Sequence, residues 1–231
     1  MNIAQKEAVI ILHGIARSAK SMQCIADCIQ RRGFDVLNLD YPSTKYSLEE
    51  LTEKIQPQVD RFNLVKYRKL HFVTYSMGGL LVRVLLNRYR PENLGRVVML
   101  APPNLGSEVA DFWQDNWLYQ KIYGPAGQQL TTDQTGIISI LGEVIDCELG
   151  IIAGDRSIDP MHWFIIPGPN DGKVSVESTR LKGMTAHAVI HATHTFIMNN
   201  SEAHRLTVYF LENGSFPNTH ESLNIQSSDL P

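Results

Sequence analysis

The sequence predicts an α/β fold in which about six mostly parallel strands form a sheet that carries helices on both faces. Short apolar blocks alternate with amphipathic segments along the 231 residues, which is the pattern of a parallel sheet covered on both sides. An apolar strand, a tight turn around Ser76 and a helix-like run follow one another directly over residues 70–86. A chain of this length can also bury the core of one domain.

The predicted strands are short runs rich in branched aliphatic residues. They cover residues 8–12, 35–39, 70–75, 97–101, 150–154 and 188–190. Because each run is followed by a turn and then by an amphipathic or loop segment, we expect the strands to lie parallel, with crossovers between them.

Helix signals lie between these strands. Ser18 is placed to cap a first helix, and Gly33 follows its last turn. Ser47 opens a second helix through a capping box, and Pro57 is expected to kink or end that helix. A closing amphipathic helix is predicted to begin between residues 195 and 201 and to end near residue 212.

We expect residues 1–231 to form a single domain with a polar, frayed tail over 217–231. Residues 102–148 are too long for an ordinary connection between two strands of such a sheet. This segment is aromatic, with Phe112, Trp113, Trp117, Tyr119 and Tyr123. It could form a lid or a pocket wall over Ser76, or it could be a covering helix whose aromatic rings pack onto the sheet. The second interpretation is favoured for most of these rings, since aromatic side chains bury well in any core.

Composition excludes several classes of function. A net charge of −3 with mixed signs gives no reason to expect nucleic acid or an anionic membrane as a partner. No apolar run reaches the ~20 residues that span a bilayer, and no secretion signal is recognisable, so a cytoplasmic location is predicted. Cys24, Cys28 and Cys147 are expected to be inert thiols, with the first two packed in a helix face. No metal or other cofactor is expected.

The strongest motif is the segment from Thr74 to Gly79. A strand, a sharp turn with a central serine and a helix form a nucleophile elbow, which exposes the serine oxygen above the sheet. Gly78 satisfies the pattern two positions after Ser76. Thr74 departs from it, because the strict pattern has a glycine two positions before the serine.

Other candidate residues follow in a characteristic order. His13 and Gly14 come directly after the first strand, where an H-G segment can supply a backbone N–H to an oxyanion. Asp171 and His194 lie downstream of Ser76. The order serine, aspartate, histidine differs from the orders found in chymotrypsin-like and subtilisin-like enzymes.

Together these segments resemble lipase/esterase-type α/β-hydrolases, such as small bacterial triacylglycerol lipases and the lipase-like relatives of inositol deacylases. The resemblance rests on residues 12–18, 75–79, 101–107, 170–174 and 194–198. It implies a minimal α/β-hydrolase fold and a Ser-His-Asp triad. Thr74 stands where relatives carry glycine or alanine, which puts the catalytic rate in question more than the fold.

In this interpretation Ser76 is the nucleophile, His194 is the general base and Asp171 orients the imidazole. The backbone N–H groups of Ile15 and Met77 would form the oxyanion hole. The predicted substrate pocket includes His13, Ala16, Tyr75 and Trp113.

Rival residues remain at two of these positions. His162 lies close in sequence to the Asp171 loop and is the alternative base, whereas His191 is expected to be a packed core residue. Asp155 directly follows the fifth predicted strand and is the alternative acid. A surface ion pair would explain Asp155 equally well.

The predicted function is hydrolysis of a carboxylic ester through an acyl-enzyme, with short to medium acyl chains favoured over emulsified fat. The expected partner is a small-molecule or lipid ester, and the oligomeric state is left open. An acyltransferase or a thioesterase could use the same triad. A non-catalytic hydrolase-fold binding protein with a decayed elbow is the alternative from a different class, and Thr74 is the feature that suggests it.

Overall fold

A computed structural model describes residues 6–64, 67–132, 141, 146–158 and 165–217 of the chain. Within this part, six strands form one sheet in the order β2-β1-β3-β4-β5-β6, and every neighbouring pair is parallel. The strands are β1 (Glu7–Leu12), β2 (Asp35–Leu39), β3 (Lys69–Tyr75), β4 (Leu94–Leu100), β5 (Leu149–Gly154) and β6 (Ala186–Ile190). The α/β prediction is confirmed, and the mostly parallel sheet is fully parallel.

Helices cover both faces of this sheet. They are α1 (Gln23–Arg31), α2 (Leu48–Asn63), α3 (Met77–Arg88), α4 (Glu108–Trp113), α5 (Trp117–Gln128, broken at Gly124) and α6 (Ser201–Asn213). Short 3₁₀ helices precede α1 at Ala19–Met22 and α6 at His194–Asn199.

The hydrophobic core has two layers because successive strand residues face opposite sides of the sheet. In β1, Ile10 and Leu12 pack with α2 and α3 on one side, whereas Val9 and Ile11 pack with α1 and α6 on the other. All four side chains are fully buried. This two-sided burial explains why the strands appear in the sequence as continuous apolar runs.

Two helix signals behave differently from the prediction. Ser18 precedes the 3₁₀ helix, but its side chain makes no capping hydrogen bond. Pro57 lies inside α2, which continues to Asn63, so it does not end that helix. The predicted capping box at Ser47 is present, with Glu50 as its partner.

The long segment between β4 and β5 carries α4 and α5 in its described part. Whether it moves as a lid stays a prediction, as does the single-domain organisation. Most of the expected frayed tail over 217–231 lies outside the described residues. None of the helices in the described ranges is long and apolar enough to cross a membrane.

Candidate active site

Ser76 lies between the end of β3 and the start of α3, on a sharply bent backbone. Its φ of 52° and ψ of −124° fall in a region that residues with a Cβ rarely occupy. The backbone N–H of Ser76 donates to the carbonyl of Leu100 at 2.8 Å, and its carbonyl accepts from the N–H of Gly79 at 2.8 Å. Such strain costs about 1–3 kcal/mol and persists because these neighbouring contacts hold it. The serine hydroxyl is thereby raised out of the sheet.

Two glycines allow the loop after β1 to approach this turn. A Cβ on Gly78 would lie 2.6 Å from the carbonyl oxygen of Leu12, which is closer than real contacts allow. A Cβ on Gly14 would lie 2.9 Å from the ring of Tyr75 and 3.2 Å from the Cβ of Ser76. Larger residues at either position would therefore push the loop that carries Ile15 away from Ser76.

His194 begins the 3₁₀ helix after β6, and its ring lies between Ser76 and Asp171. The His194 Nε2 is 3.0 Å from the Ser76 Oγ, and its Nδ1 is 2.7 Å from the Asp171 Oδ2. All three side chains are buried, with residue exposures of 6%, 5% and 2% for Ser76, His194 and Asp171. The structure thus brings the three predicted residues into one hydrogen-bonded series.

Asp171 is oriented by its own loop. Its Oδ1 accepts from the backbone N–H groups of Lys173 at 3.0 Å and Val174 at 2.9 Å. Its Oδ2 is therefore the oxygen that faces His194, whose backbone N–H also donates to the Asp171 carbonyl at 2.9 Å. Because an ionised carboxylate only accepts hydrogen bonds, His194 carries its proton on Nδ1 and offers Nε2 to the serine hydroxyl. This arrangement can remove a proton from Ser76.

Tyr75, the last residue of β3, is hydrogen-bonded to the segment that carries His194. Its hydroxyl donates to the carbonyl of His194 at 2.9 Å, and the two ring centroids are 5.3 Å apart. Burial raises the pKa of the Tyr75 phenol, so it stays protonated and keeps this donor. The Arg17 side chain also lies within hydrogen-bonding reach of the phenol oxygen.

Met77 and Ile15 occupy positions suited to binding an oxyanion. Met77 is the first residue of α3, and the first N–H groups of a helix have no acceptor within it. The helix N-terminus also carries a partial positive charge. The loop of Ile15 is braced by Ala16, which has a φ of 53° and donates its N–H to the Ser43 Oγ at 3.1 Å.

A cavity of about 250 Å³ opens beside Ser76 and His194. Of the predicted pocket residues, Ala16 and Tyr75 line this cavity. His13 and Trp113 are not among the described residues on its wall, and their place in a substrate pocket stays a prediction.

His13 contacts the loop that carries Gly14 and Ile15. Its ring is fully buried and stacks on Tyr41 with centroids 4.0 Å apart. Its Nδ1 donates to the carbonyl of Gly14 at 2.8 Å, which leaves Nε2 to face the N–H of Tyr41 at 3.4 Å. Burial lowers the pKa of His13, which is consistent with this neutral tautomer.

The aromatic residues of 102–148 do not behave as a buried covering layer. Tyr119 and Tyr123 line the cavity, with ring centroids 4.6 Å apart. Phe112 and Trp117 are 58% and 70% exposed, and the Trp113 ring packs edge-on against Phe112. The favoured covering-layer interpretation therefore does not hold for Phe112 and Trp117, whereas Tyr119 packs against the core as well as lining the cavity.

The rival acid has a different histidine as its partner, and the rival base falls outside the described ranges. Asp155 pairs with His191, Nδ1 to Oδ1 at 3.0 Å, and the His191 side chain is 73% exposed. His191 is therefore not the core residue that was expected. His162 lies outside the described residues. Cys24, expected to be packed, is exposed, while burial raises the pKa of the Cys147 thiol to about 11.

Sequence reasoning missed Arg17 and Lys173 as cavity residues, whereas Tyr119 and Tyr123 belong to the aromatic segment that it offered as a possible pocket wall. Arg17 follows the oxyanion loop directly, and Lys173 is two residues beyond Asp171, so adjacency to the motifs was a usable signal for both. Which rings of that segment reach the cavity had no local signal, because it depends on how α5 packs. Within the described residues, no group of three or more histidine, cysteine or acidic side chains is placed to hold a metal ion.

Comparison with known proteins identifies the family. A family model described as the alpha/beta hydrolase fold matches residues 7–136, more than half of the chain. The chain belongs to the α/β-hydrolase family. This confirms the resemblance on which the sequence analysis rested.

Individual relatives are more distant. The lysosomal thioesterase PPT2 of Bos taurus is 28% identical over 142 residues, which cover 55% of this chain and 46% of that protein. The human PPT2 is 23% identical over 200 residues, covering 74% of this chain and 66% of the human protein. The matches thus span about half to two thirds of these relatives.

A solved structure of similar size shares the fold over nearly its whole length. The mature Bacillus licheniformis lipase BlEst2 superimposes with a TM-score of 0.70 at 21% identity, covering 91% of this chain and 92% of that protein. At this identity the likeness concerns the fold alone.

Proposed function

We propose that this chain is a serine hydrolase that cleaves carboxylic esters through an acyl-enzyme on Ser76. The observation that carries the proposal is the hydrogen-bonded series from the Ser76 Oγ through His194 to the Asp171 carboxylate, at 3.0 Å and 2.7 Å. A serine hydroxyl needs such a base to act as a nucleophile at neutral pH. Retention of the whole series argues against the decayed-elbow alternative that Thr74 suggested.

In the first half-reaction, His194 Nε2 takes the proton as the Ser76 oxygen attacks the ester carbonyl carbon. Asp171 stabilises the resulting imidazolium, and the N–H groups of Met77 and Ile15 bind the oxyanion of the tetrahedral intermediate. His194 then protonates the leaving group, which departs and leaves the acyl group on Ser76. In the second half-reaction, His194 activates a water that releases the acid and restores the serine.

The size and chemistry of the cavity support a short to medium acyl chain. Its volume of about 250 Å³ lies just below the ~300–1,000 Å³ of pockets that hold drug-sized ligands. Apolar lining comes from Ala110, Leu130 and Val174, which are 2%, 6% and 2% exposed. An acyl chain of a few carbons placed there would be removed from water.

Thioester hydrolysis is the second candidate, because the curated relatives named above are thioesterases. The same triad would serve, since esters and thioesters pass through tetrahedral intermediates of the same kind, which differ in whether an alcohol or a thiol departs. The names of those relatives place them in the lysosome, whereas the cytoplasmic location of this chain stays a prediction from its sequence.

Labelling with a fluorophosphonate, read by intact mass, tests the proposal. Wild-type protein should gain one adduct, and Ser76→Ala should gain none while keeping its fold. Ser201→Ala is the matched control, because Ser201 is an exposed serine at the start of α6. An unlabelled but folded wild-type protein, or equal labelling of Ser76→Ala, would contradict the proposal.

A further inference from the structure

Among the described residues, two cations and no carboxylate line the cavity beside Ser76. Arg17 and Lys173 are the two described lining residues that bear a formal charge at neutral pH. Neither forms an ion pair with any carboxylate in the described part of the chain. For comparison, Arg68, Arg96 and Arg205 are each paired with a glutamate. Two cations without an acid partner among the described residues form an anion-attracting rim at this cavity mouth.

The carboxylate of Asp171 does not neutralise this rim. Asp171 is 2% exposed and is absent from the described cavity wall. Its oxygens accept hydrogen bonds from His194 and from two backbone N–H groups, so its charge is directed to the imidazole and not to the cavity.

The two cations approach the reaction centre from different loops. Arg17 lies two residues after Ile15, on the loop next to the elbow, and its side chain is exposed except for its contact with Tyr75. Lys173 lies two residues after Asp171, is half-buried, and its Nζ is 6.0 Å from the centre of the Tyr123 ring. Both therefore lie beside aromatic cavity residues, and neither has an acid partner in the described part of the chain.

The chemical character of the cavity wall changes from apolar in the interior to positively charged at the mouth. Its buried wall is apolar, at Ala110, Leu130 and Val174, whereas the cations belong to its accessible part. An acyl chain in the apolar part would direct the leaving group toward the rim. The leaving group, and not the acyl chain, would then contact the cations.

We infer that Arg17 and Lys173 select esters or thioesters whose leaving group carries an anionic carboxylate or phosphate. The inference rests on the proposed function and adds the substrate class. Guanidinium and ammonium groups donate charge-assisted hydrogen bonds to such oxygens, and guanidinium can do so with two donors at once. These contacts form before and during attack, so they raise kcat/KM for anionic substrates.

Two matched substrate pairs test this with the intact chain. The first compares the butyryl ester of a hydroxynitrobenzoate with that of the corresponding carboxamide, which differ in one carboxylate. The second compares butyryl-coenzyme A, whose leaving group carries phosphates, with the neutral S-butyryl-N-acetylcysteamine. Wild-type protein should prefer the anionic member of at least one pair roughly five- to tenfold in kcat/KM, and the preferred pair identifies carboxylate or phosphate as the recognised group. Added salt should reduce that preference.

Substitutions assign the preference to the two residues. Arg17→Gln and Lys173→Gln should each lower the ratio of anionic to neutral kcat/KM several-fold, and the double variant should abolish the preference. Lys182→Gln and Arg31→Gln are matched controls, since both residues are exposed and lie off the cavity wall, and they should leave the ratio unchanged.

The possible failures are distinguishable. Turnover of all four substrates without charge preference would overturn the inference and leave the proposed function standing. An equal loss for anionic and neutral substrates in Arg17→Gln and Lys173→Gln would also overturn it, because such a loss reports positioning of Tyr75 or the Asp171 loop. No turnover of any substrate, with no difference between wild type and Ser76→Ala, would overturn the proposed function and this inference with it.

Discussion

Replacing Asp171 with asparagine tests the role of the carboxylate at nearly constant shape. The Oδ1 of Asp171 accepts two backbone hydrogen bonds, from Lys173 at 3.0 Å and Val174 at 2.9 Å. An asparagine at this position must keep its carbonyl oxygen toward those two donors. Its NH₂ group then faces the Nδ1 of His194, where a donor replaces an acceptor.

The size of this orientation preference follows from the same contacts. Turning the amide around would place its NH₂ against two buried N–H groups and leave both without an acceptor. Each buried unsatisfied group costs about 1–3 kcal/mol, so the turned amide is disfavoured by about 2–6 kcal/mol. The amide therefore forces His194 to accept at Nδ1 and to carry its proton on Nε2, facing Ser76. An imidazole in that tautomer cannot take the serine proton.

We expect Asp171→Asn to lower kcat by about ten-thousand-fold, the size of loss known for the equivalent change in a serine protease. This corresponds to about 5 kcal/mol in activation free energy. Initial rates on a butyryl ester of a nitrophenol would measure it. The unfolding temperature should stay within a few degrees of wild type, because both backbone hydrogen bonds to the side-chain oxygen survive.

Asp155→Asn is the matched control, since Asp155 pairs with the exposed His191 and makes no recorded contact with His194. It should retain wild-type kcat. A folded Asp171→Asn variant that keeps more than about a tenth of the wild-type rate would falsify the tautomer argument. A comparable loss in Asp155→Asn would show that the acid had been assigned to the wrong residue.

Two further predictions concern stability. The buried hydroxyl of Thr74 has no hydrogen-bond partner among the described residues, so Thr74→Val should stabilise the protein by about 1 kcal/mol in urea unfolding. Thr52→Val is the control, because it removes a hydroxyl that donates to a backbone carbonyl at 2.8 Å. This control variant should be destabilised by a similar amount. Equal changes in the free energy of unfolding for the two variants would refute the conclusion that the Thr74 hydroxyl lacks a hydrogen-bond partner. Burial lowers the pKa of His71 to about 4, and its Nδ1 accepts from the backbone N–H of Arg96 at 2.9 Å, so the unfolded chain takes up a proton that the folded chain refuses. The contribution of His71 to stability should therefore be fully present above about pH 6.5. The free energy of unfolding should fall by on the order of 2–3 kcal/mol as the pH drops toward about 4. Unfolding curves at several pH values should show a smaller fall for His71→Asn and an unchanged fall for the exposed His191→Asn.

The strands were the most predictable part of the fold. Each observed strand overlaps its predicted run, with differences of one to three residues at the starts of β1, β3, β4, β5 and β6. Burial on both faces makes such strands continuously apolar, and this pattern is local. The behaviour of Pro57 was less predictable, because α2 packs on the sheet through Leu51 and Ile55 and this packing maintains the helix past the proline.

The site was predictable to the extent that its parts are local motifs. The elbow around Ser76 and the H-G loop depend on a few adjacent residues, and both lie where the motif implied. The pocket was less predictable. Trp113 was predicted to line it, whereas Tyr119 and Tyr123 are the rings of this segment on the described cavity wall, and their placement depends on the packing of α4 and α5.

By itself the sequence determined the fold class, the family and the identity and order of the three residues proposed to react, since these are recorded in strand periodicity and in short motifs. Only the tertiary structure decided their mutual distances, because Ser76 and His194 are 118 positions apart and meet through the register of β3, β4, β5 and β6. It also decided which oxygen of Asp171 faces the imidazole and which side chains surround the cavity. Such arrangements come from packing between distant elements, and no local pattern in the chain encodes them.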